Sequence, residues 1–487
     1  MFNDFKGFIL LNILFFTAIT SYSQGLGNSP YSRTGIGDLM YYKGTVRNMG
    51  MGYAGSSLMS KEYINYLNPA GIANFKGKYE DSLVKFDIGF TIQYKNFRFQ
   101  DEQATSSGAN INNFALIFPA SKVYTTGIVL VPLTIVQNEY GFQDTIANDP
   151  NNYSAKYNST GSGGVYQLQW LNAIGVSKDF SLGLTTSYNF GSILQEVSSQ
   201  LISDPSIPDL ENEVGAQVKS SYSGASFKPG FIYNRQLKKR IKFTHIEYDT
   251  VDFFVKNHVV SMLEERIVVD STKKIPGPLN FKLGGSAEFF PGVKVTQTQS
   301  LFIRNPKNQL ISDSTVTKAS SKAQFPAIYR IGSSLEHSDR WLLAADFVYT
   351  DWSNFDQNQG KDPDLNTSSY TIALGGEIMP RNFQKANRKL LYRPHRVTTY
   401  RAGFSYSATP VNVGGYDVYD YSFSLGMSVP VGVRVKGSDV PFLPKLNVAL
   451  VAGQRTTFTS ANISENYIRI HLSMAIYENW FNKRRIQ

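Results

Sequence analysis

The most regular feature of the chain is a two-residue alternation of apolar and polar side chains, sustained over long runs. Val84, Phe86, Ile88, Phe90, Ile92 and Tyr94 would share one face of an extended strand, while Lys85, Asp87, Gly89, Thr91, Gln93 and Lys95 share the other. The pattern returns where Tyr419, Tyr421, Phe423, Leu425, Met427 and Val429 alternate with Asp420, Ser422, Ser424, Gly426 and Ser428. It returns again near the end, where Ile468, Ile470, Leu472, Met474 and Ile476 alternate with Arg469, His471, Ser473 and Ala475. Strands of soluble sandwiches also alternate, but most are only about five or six residues long. Runs of about nine to thirteen match a strand tilted across a bilayer, apolar toward lipid and polar toward a lumen. The predicted fold is all-β, a transmembrane antiparallel barrel.

Segments of this kind fall at about 82–98, 109–119, 124–137, 163–177, 180–197, 220–236, 279–304, 324–336, 340–353, 368–380, 396–409, 416–431, 444–457 and 462–476, about fourteen strands. An even number returns both barrel ends to the periplasm. Residues 99–108, 138–162, 198–219, 305–323 and 354–367, rich in Asn, Ser, Asp and Gln, then become outer loops. The stretches 120–123, 178–179 and 337–339 become tight inner turns. Two inner connections are anomalous: a long insertion at 237–278, and 381–395, which carries Arg381, Lys385, Arg388, Lys389 and Arg393.

The N-terminus changes the picture from strand pattern to compartment. Met1 to Lys6 carries one Lys, Gly7 to Thr20 is apolar apart from Asn12 and Thr17, and Ser21-Tyr22-Ser23 supplies small residues for cleavage. This predicts a signal peptide at 1–23, an N-terminal segment at 24–81, and the barrel at 82–487. The mean hydropathy of −0.23 looks like that of a soluble protein, as a barrel with one polar face requires. No stretch after the leader is apolar for the roughly 18 residues that a membrane helix needs. With no cysteine among 487 residues, thiolate catalysis, Cys-ligated metal sites, disulfides and a lipoprotein anchor are excluded. The 33 Phe and 29 Tyr fit an apolar band edged by aromatic girdles.

The Gly-rich segment 24–81 is long enough to fill a lumen that about fourteen strands leave open. Asn28-Ser29-Pro30-Tyr31-Ser32-Arg33, Gly35-Ile36-Gly37-Asp38-Leu39, Arg47-Asn48-Met49-Gly50-Met51-Gly52 and Tyr63-Ile64-Asn65-Tyr66-Leu67-Asn68-Pro69-Ala70-Gly71 resemble the N-terminal hatch of FadL-type long-chain fatty-acid transporters, in the form seen in Bacteroidetes. Ala327 to Gly332, Asp346 to Ser353 and Glu478-Asn479-Trp480-Phe481 are similar to that family's mid-barrel hairpin and final strand. The resemblance implies a barrel of 14 strands plugged by its hatch. It also implies passive uptake of hydrophobic molecules such as fatty acids, released sideways through a kinked third strand. Within the hatch, Asn68, Pro69, Ala70 and Gly71 form a turn in which Pro fixes φ and Asn caps. Gly127 and Pro132 bracket the third strand, marking either a candidate lateral gate or an ordinary bulge.

Catalytic chemistry is hard to find. His245, His258, His337, His395 and His471 show no metal-ligand spacing, no cofactor signature is present, and Lys361-Asp362-Pro363-Asp364 lacks the ligands of a calcium loop. His471 and Ser473 share the polar face with Arg469, which predicts a lumenal hydrogen-bond network rather than a nucleophile and base. The formal charge of +10 is spread without a nucleic-acid motif. Its clusters, Lys238, Lys239, Arg240 and Lys242, then Arg381 to Arg396, then Lys483, Arg484 and Arg485, fall on the inner rim. There they meet anionic lipid, or, together with 237–278, another envelope protein. The chain therefore reads as an integral outer-membrane protein of a Gram-negative bacterium, not an enzyme. Two functions compete: uptake of a hydrophobic ligand, or a non-transporting accessory subunit of a larger secretion or barrel-assembly complex.

Overall fold

The computed structural model describes residues 25–479 except 34–35, 41–43, 61, 74–82, 100–101, 122, 147–152, 203–211, 256–257, 338–339, 357–363, 380–397, 432–442 and 460–463. The expected leader 1–23, the basic connection 381–395, Asp362 and everything from Trp480 onward lie outside the described residues.

The alternating runs form the strands β2 (Leu83–Phe99), β3 (Glu102–Pro119), β4 (Tyr124–Thr145), β5 (Ser154–Gly175), β6 (Phe180–Ile202), β7 (Glu213–Val255) and β8 (His258–Glu288). They continue with β9 (Val293–Arg304), β10 (Leu310–Ala323), β11 (Ala327–His337), β12 (Trp341–Asp351), β13 (Ser368–Ile378), β14 (Thr399–Val413), β15 (Tyr416–Pro430), β16 (Lys445–Thr456) and β17 (Ser464–Asn479). Sequence neighbours pair antiparallel, and β17 closes onto β2 along its whole length, from Ser464 opposite Arg98 to Asn479 opposite Leu83. The barrel is closed and has 14 strands. That number arises because β9 continues β8 and β10 leads into β11, each pair counting once: β8 and β9 both lie against β7, and β11 pairs with β8 as β10 pairs with β9.

The two interruptions have a sequence cause. They fall at Phe289-Phe290-Pro291-Gly292 and Gln324-Phe325-Pro326, where proline cannot donate to the ladder. The alternation itself sorts the faces inside out relative to a soluble protein. On β17, Ile468 and Ile470 are 49% and 41% exposed, whereas Arg469 and His471 between and beside them are 3% and 0% exposed. On β2, Lys85, Asp87, Gln93 and Lys95 are buried while Ile92 and Tyr94 face outward.

Four segments read from sequence as outer loops are largely strand: β3 begins at Glu102, β4 and β5 extend through 138–145 and 154–162, β6 runs to Ile202 and β7 begins at Glu213, and β10 occupies most of 305–323. Beyond the bilayer a strand needs no apolar face, so its polar composition imitates a loop. The insertion 237–278 is likewise not a loop. It extends β7 and β8 as a two-stranded ribbon, paired from Lys238 opposite Pro276 to Val255 opposite His258.

The N-terminal segment lies inside the barrel. Strand β1 (Asp38–Leu39) pairs with β4, helix α1 (Val46–Met49) packs its Val46 and Met49 on Ala449, Val451 and Tyr467, and a 3₁₀ turn spans Pro69–Ile72. Its backbone reaches the wall directly. Gly52 has φ +63, and a Cβ there would stand 2.5 Å from the Phe404 carbonyl oxygen; one on Gly403 would stand 2.1 Å from the Gly52 amide nitrogen. Only glycine satisfies both the left-handed φ and this backbone-to-backbone distance.

Gly403→Ala should therefore push the plug from the wall, at a cost of about 1–3 kcal/mol. The expected result is a barrel with normal heat-modifiable gel mobility whose N-terminal segment becomes protease-sensitive. Gly376→Ala, whose new Cβ meets the Leu343 side chain at 3.3 Å and the Leu342 carbonyl oxygen at an ordinary 3.7 Å, and nothing of the plug, should leave protection unchanged.

Candidate functional site

The inward face of the barrel carries charges that cannot reach bulk water, and the N-terminal segment supplies their partners. At the end where β2 starts and β17 finishes, Glu377 of β13 accepts from Arg47 of α1 at 3.0 and 2.9 Å and from Arg401 of β14 at 2.5 Å. Arg401 also donates to Ser428 at 2.6 Å. The ring of Tyr63 lies within cation–π distance of Arg47, Arg401 and Lys445, at 4.7, 4.9 and 4.7 Å. Lys445 pairs with Glu62, and Tyr477 donates to the Glu62 carbonyl at 2.8 Å.

Midway along the lumen, Asp346 of β12 accepts the amides of Gly55 and Ser56, both at 2.6 Å. Asn68 caps the 3₁₀ turn by accepting from Ala70 at 3.1 Å. Its amide donates to the carbonyls of Ser56 at 2.7 Å and Phe231 at 2.9 Å. Pro69 occupies the first position of that turn, followed by Ala70 and Gly71, all buried. The motif thus stitches the segment to β7 through Asn68. Toward the other end, Lys95 and Glu465 pair at 3.1 Å, Ser29 donates to Glu465 at 3.1 Å, and Arg455 reaches Asp38 at 2.8 Å.

Arg469, His471 and Ser473 line up on the lumenal face of β17, and each bonds outward to a neighbouring strand. Arg469 donates to Gln93, His471 Nδ1 shares a 2.7 Å hydrogen bond with Thr91, and Ser473 donates to Asp87 at 3.2 Å while accepting from Asn447 at 3.1 Å.

The third strand of the barrel, β4, departs from β3 early. Their ladder runs only from Pro119 opposite Thr125 to Phe114 opposite Leu130. Gly127 sits within it, opposite Ile117 and Leu171, and Pro132 lies just beyond its end, opposite Tyr166 at a register shift in the β5 ladder. The gap is filled by the start of the N-terminal segment. Ser29 donates to the Gln137 carbonyl at 2.8 Å, the Asn28 amide side chain donates to Glu139 at 2.7 Å, and the Asn28 backbone donates to Ser106 of β3 at 2.7 Å. β1 continues the seal on Thr134 and Ile135.

At the end far from Glu377, beside the Lys95–Glu465 and Arg455–Asp38 pairs, one part of the lumen is apolar, and it is packed by the chain itself. Phe290 and Phe325, at the two proline interruptions, turn inward with ring centroids 5.6 Å apart; Tyr222 lies 5.8 Å from Phe325, and Trp352 stacks edge-on to Phe355 at 5.1 Å. Ile36 of the plug completes this buried cluster. A cavity of about 60 Å³ remains nearby, between Leu39, Thr350, Thr371 and Arg455. Sites for drug-sized ligands occupy roughly 300–1,000 Å³. Two larger clefts, of about 620 and 580 Å³, lie on outward-facing side chains: Phe281, Leu343, Leu374 and Phe423 in one, Leu182, Phe231, Tyr329 and Phe347 in the other. Alternation alone did not reveal Glu377, Asp346, Phe290 or Phe325 as lumenal anchors. The repeated Phe-Pro pair was the available signal for the last two.

The architecture is that of FadL-type barrels. The structure aligns with the CymD monoaromatic hydrocarbon channel (TM-score 0.51, 14% identity, covering 91% of this chain and 99% of that one). It aligns equally with a Pseudomonas aeruginosa FadL homologue (0.51, 14%, 89% and 98%). The Ralstonia pickettii toluene transporter TbuX follows (0.50, 12%, 89% and 98%). At these identities the likeness establishes the fold. Comparison with curated proteins finds no match. The family model for BamG matches residues 5–274 and 286–487. The chain belongs to the BamG family. The BamG-family chain thus has the fold of the FadL-type barrels, and the solved structures named above are a channel, a FadL homologue and a transporter.

Breaking the Glu377 node should be costly, because it leaves two guanidinium groups buried without their carboxylate. Removing one partner of such a pair costs about 3–5 kcal/mol. Glu377→Ala should lower the temperature at which the barrel loses heat-modifiable mobility and expose the segment near Arg47 to protease, more than Glu213→Ala, whose partner Arg304 is partly solvated.

Proposed function

We propose that this BamG-family barrel is a non-transporting subunit of a larger outer-membrane assembly, concerned with secretion or barrel insertion. The observation that carries the proposal is the filled apolar lumen: where a transporter would hold its hydrophobic substrate, Phe290, Phe325, Tyr222 and Trp352 pack on one another and on Ile36. The ion pairs that fix the plug support the same reading. Family membership is compatible with it, and the barrel strands would begin and end in the periplasm.

Uptake is the second reading, favoured by one observation. The β3–β4 ladder opens beyond Leu130, beside Pro132, and a ligand leaving sideways would use such an opening once the segment around Asn28 withdrew. The relatives named for hydrocarbon and toluene transport give this reading its chemistry.

Gentle purification from native membrane separates the two. The subunit reading expects a stoichiometric partner and no hydrophobic ligand in the lumen. A monomer carrying fatty acid or detergent would sink it.

A second test uses the cysteine-free background, in which an engineered pair has no competitor. Asn28→Cys with Ser106→Cys, oxidised, pins the segment in the gap; co-purification of the partner should be unchanged, whereas the uptake reading requires loss of hydrophobic uptake that reduction restores. Conversely, Phe290→Ala with Phe325→Ala should open a cavity at a cost of about 3–5 kcal/mol per site and let the barrel take up an apolar probe that the native protein refuses.

A further inference from the structure

The ribbon at 237–278 has no role in the barrel wall. Pairing with β6 ends at Tyr233 opposite Phe180, and pairing with β11 ends at Leu279 opposite His337. Beyond those residues, among the described residues, the ribbon pairs only its own two strands, about 18 residues each, which at roughly 3.3 Å per residue extend about 60 Å. An isolated pair of strands is marginal in water, and a long unpaired edge is a template for another chain. Prolines blunt the edge only at the base, at Pro276 and Pro278.

Charge divides the ribbon in two. Its base, 237–245 with 267–278, carries Lys238, Lys239, Arg240, Lys242, Lys273 and Lys274 against Asp270 alone. Arg240 lies directly opposite Lys274, a like-charge pair that is unfavourable without an anion nearby. Its distal half, 246–266, carries Glu247, Asp249, Asp252, Glu264 and Glu265 against Lys256 and Arg266. Exposed among these carboxylates are Ile246, Tyr248, Val259, Met262 and Leu263. Tyr and Met are typical of interface cores, while carboxylates at a rim select a partner of opposite sign.

The membrane is excluded as the occupant of the distal half. The base spans about nine residues, roughly 30 Å, several Debye lengths of about 8 Å. The basic base therefore sits at anionic headgroups while the acidic half is held off the same surface by its own charge.

Resting on the subunit reading, we propose that residues 246–255 and 258–266 dock into a periplasmic protein that presents an apolar groove rimmed by Lys and Arg. The ribbon is the strut that holds that protein below the barrel, with its basic base seated on lipid.

The test uses the full chain in native outer membrane, with a photoreactive side chain replacing Met262 and, separately, Lys239. At Met262 the expected product is one periplasmic protein, joined through a Lys- or Arg-rich peptide. Its yield should fall at least tenfold with Glu264→Lys and Glu265→Lys or at raised salt, while heat-modifiable mobility stays native. At Lys239 the expected products are lipid adducts. Adducts at Met262 to lipid or to a second copy of the chain overturn the proposal, as does a yield indifferent to charge reversal. If a stoichiometric partner survives replacement of 241–272 by a tight turn, the ribbon inference fails while the subunit reading stands. A monomer filled with ligand fails the subunit reading itself.

Discussion

A barrel of this size turns half of its side chains inward, and inward-facing charges in a narrow lumen need partners. This constraint shapes the rest of the molecule. Glu377, Arg401, Asp346, Lys95, Glu465 and Lys445 are all buried, and an unpaired buried charge is too costly to keep. The N-terminal segment is the source of many of their partners: Arg47, Gly55, Ser56, Ser29 and Glu62. The plug and the wall are consequently one electrostatic unit. Neither the segment, which is Gly-rich and has little secondary structure among its described residues, nor the wall, with its charged interior, is self-sufficient.

The upper lumen solves the opposite problem. Part of its surface is apolar, and an apolar cavity of ligand size would stay dry or bind a hydrophobe. Two Phe-Pro pairs in adjacent strands fill much of that apolar part by interrupting the ladder and turning aromatic rings inward. The same fold that houses channels and transporters in its solved neighbours is here filled at two levels, by ion pairs at one end and by aromatic rings beside further ion pairs at the other. The opening between β3 and β4 survives as a structural feature, but it is occupied by the chain's own start.

Much of the wall was legible because lipid imposes a period of two. The runs at 84–95, 419–429 and 468–476 became β2, β15 and β17 with the expected faces inward. Outside the bilayer the constraint disappears, so β10 and the outer halves of β4 and β5 looked like loops, and the ribbon at 237–278 looked like an insertion of unknown form. The lumenal anchors were not legible for a different reason. Arg47 and Glu377 meet across 330 residues, and no local pattern records a partnership set by barrel closure. Asn68 and Pro69 could be placed because capping is local; that Asn68 also reaches the carbonyl of Phe231 could not.

The central claim is that plug and wall form one cooperative unit. Native-state hydrogen exchange of the barrel in lipid bilayers tests it most directly, at the amides of Gly55 and Ser56, which donate to Asp346, and at Met49 and Gly50 of the α1 turn. The account predicts that these amides exchange as slowly as those of β12 and β17, because they open only when the barrel does. Exchange at the rate of the exposed outer hairpins, with the strands still protected, would show a plug that leaves on its own and would contradict it.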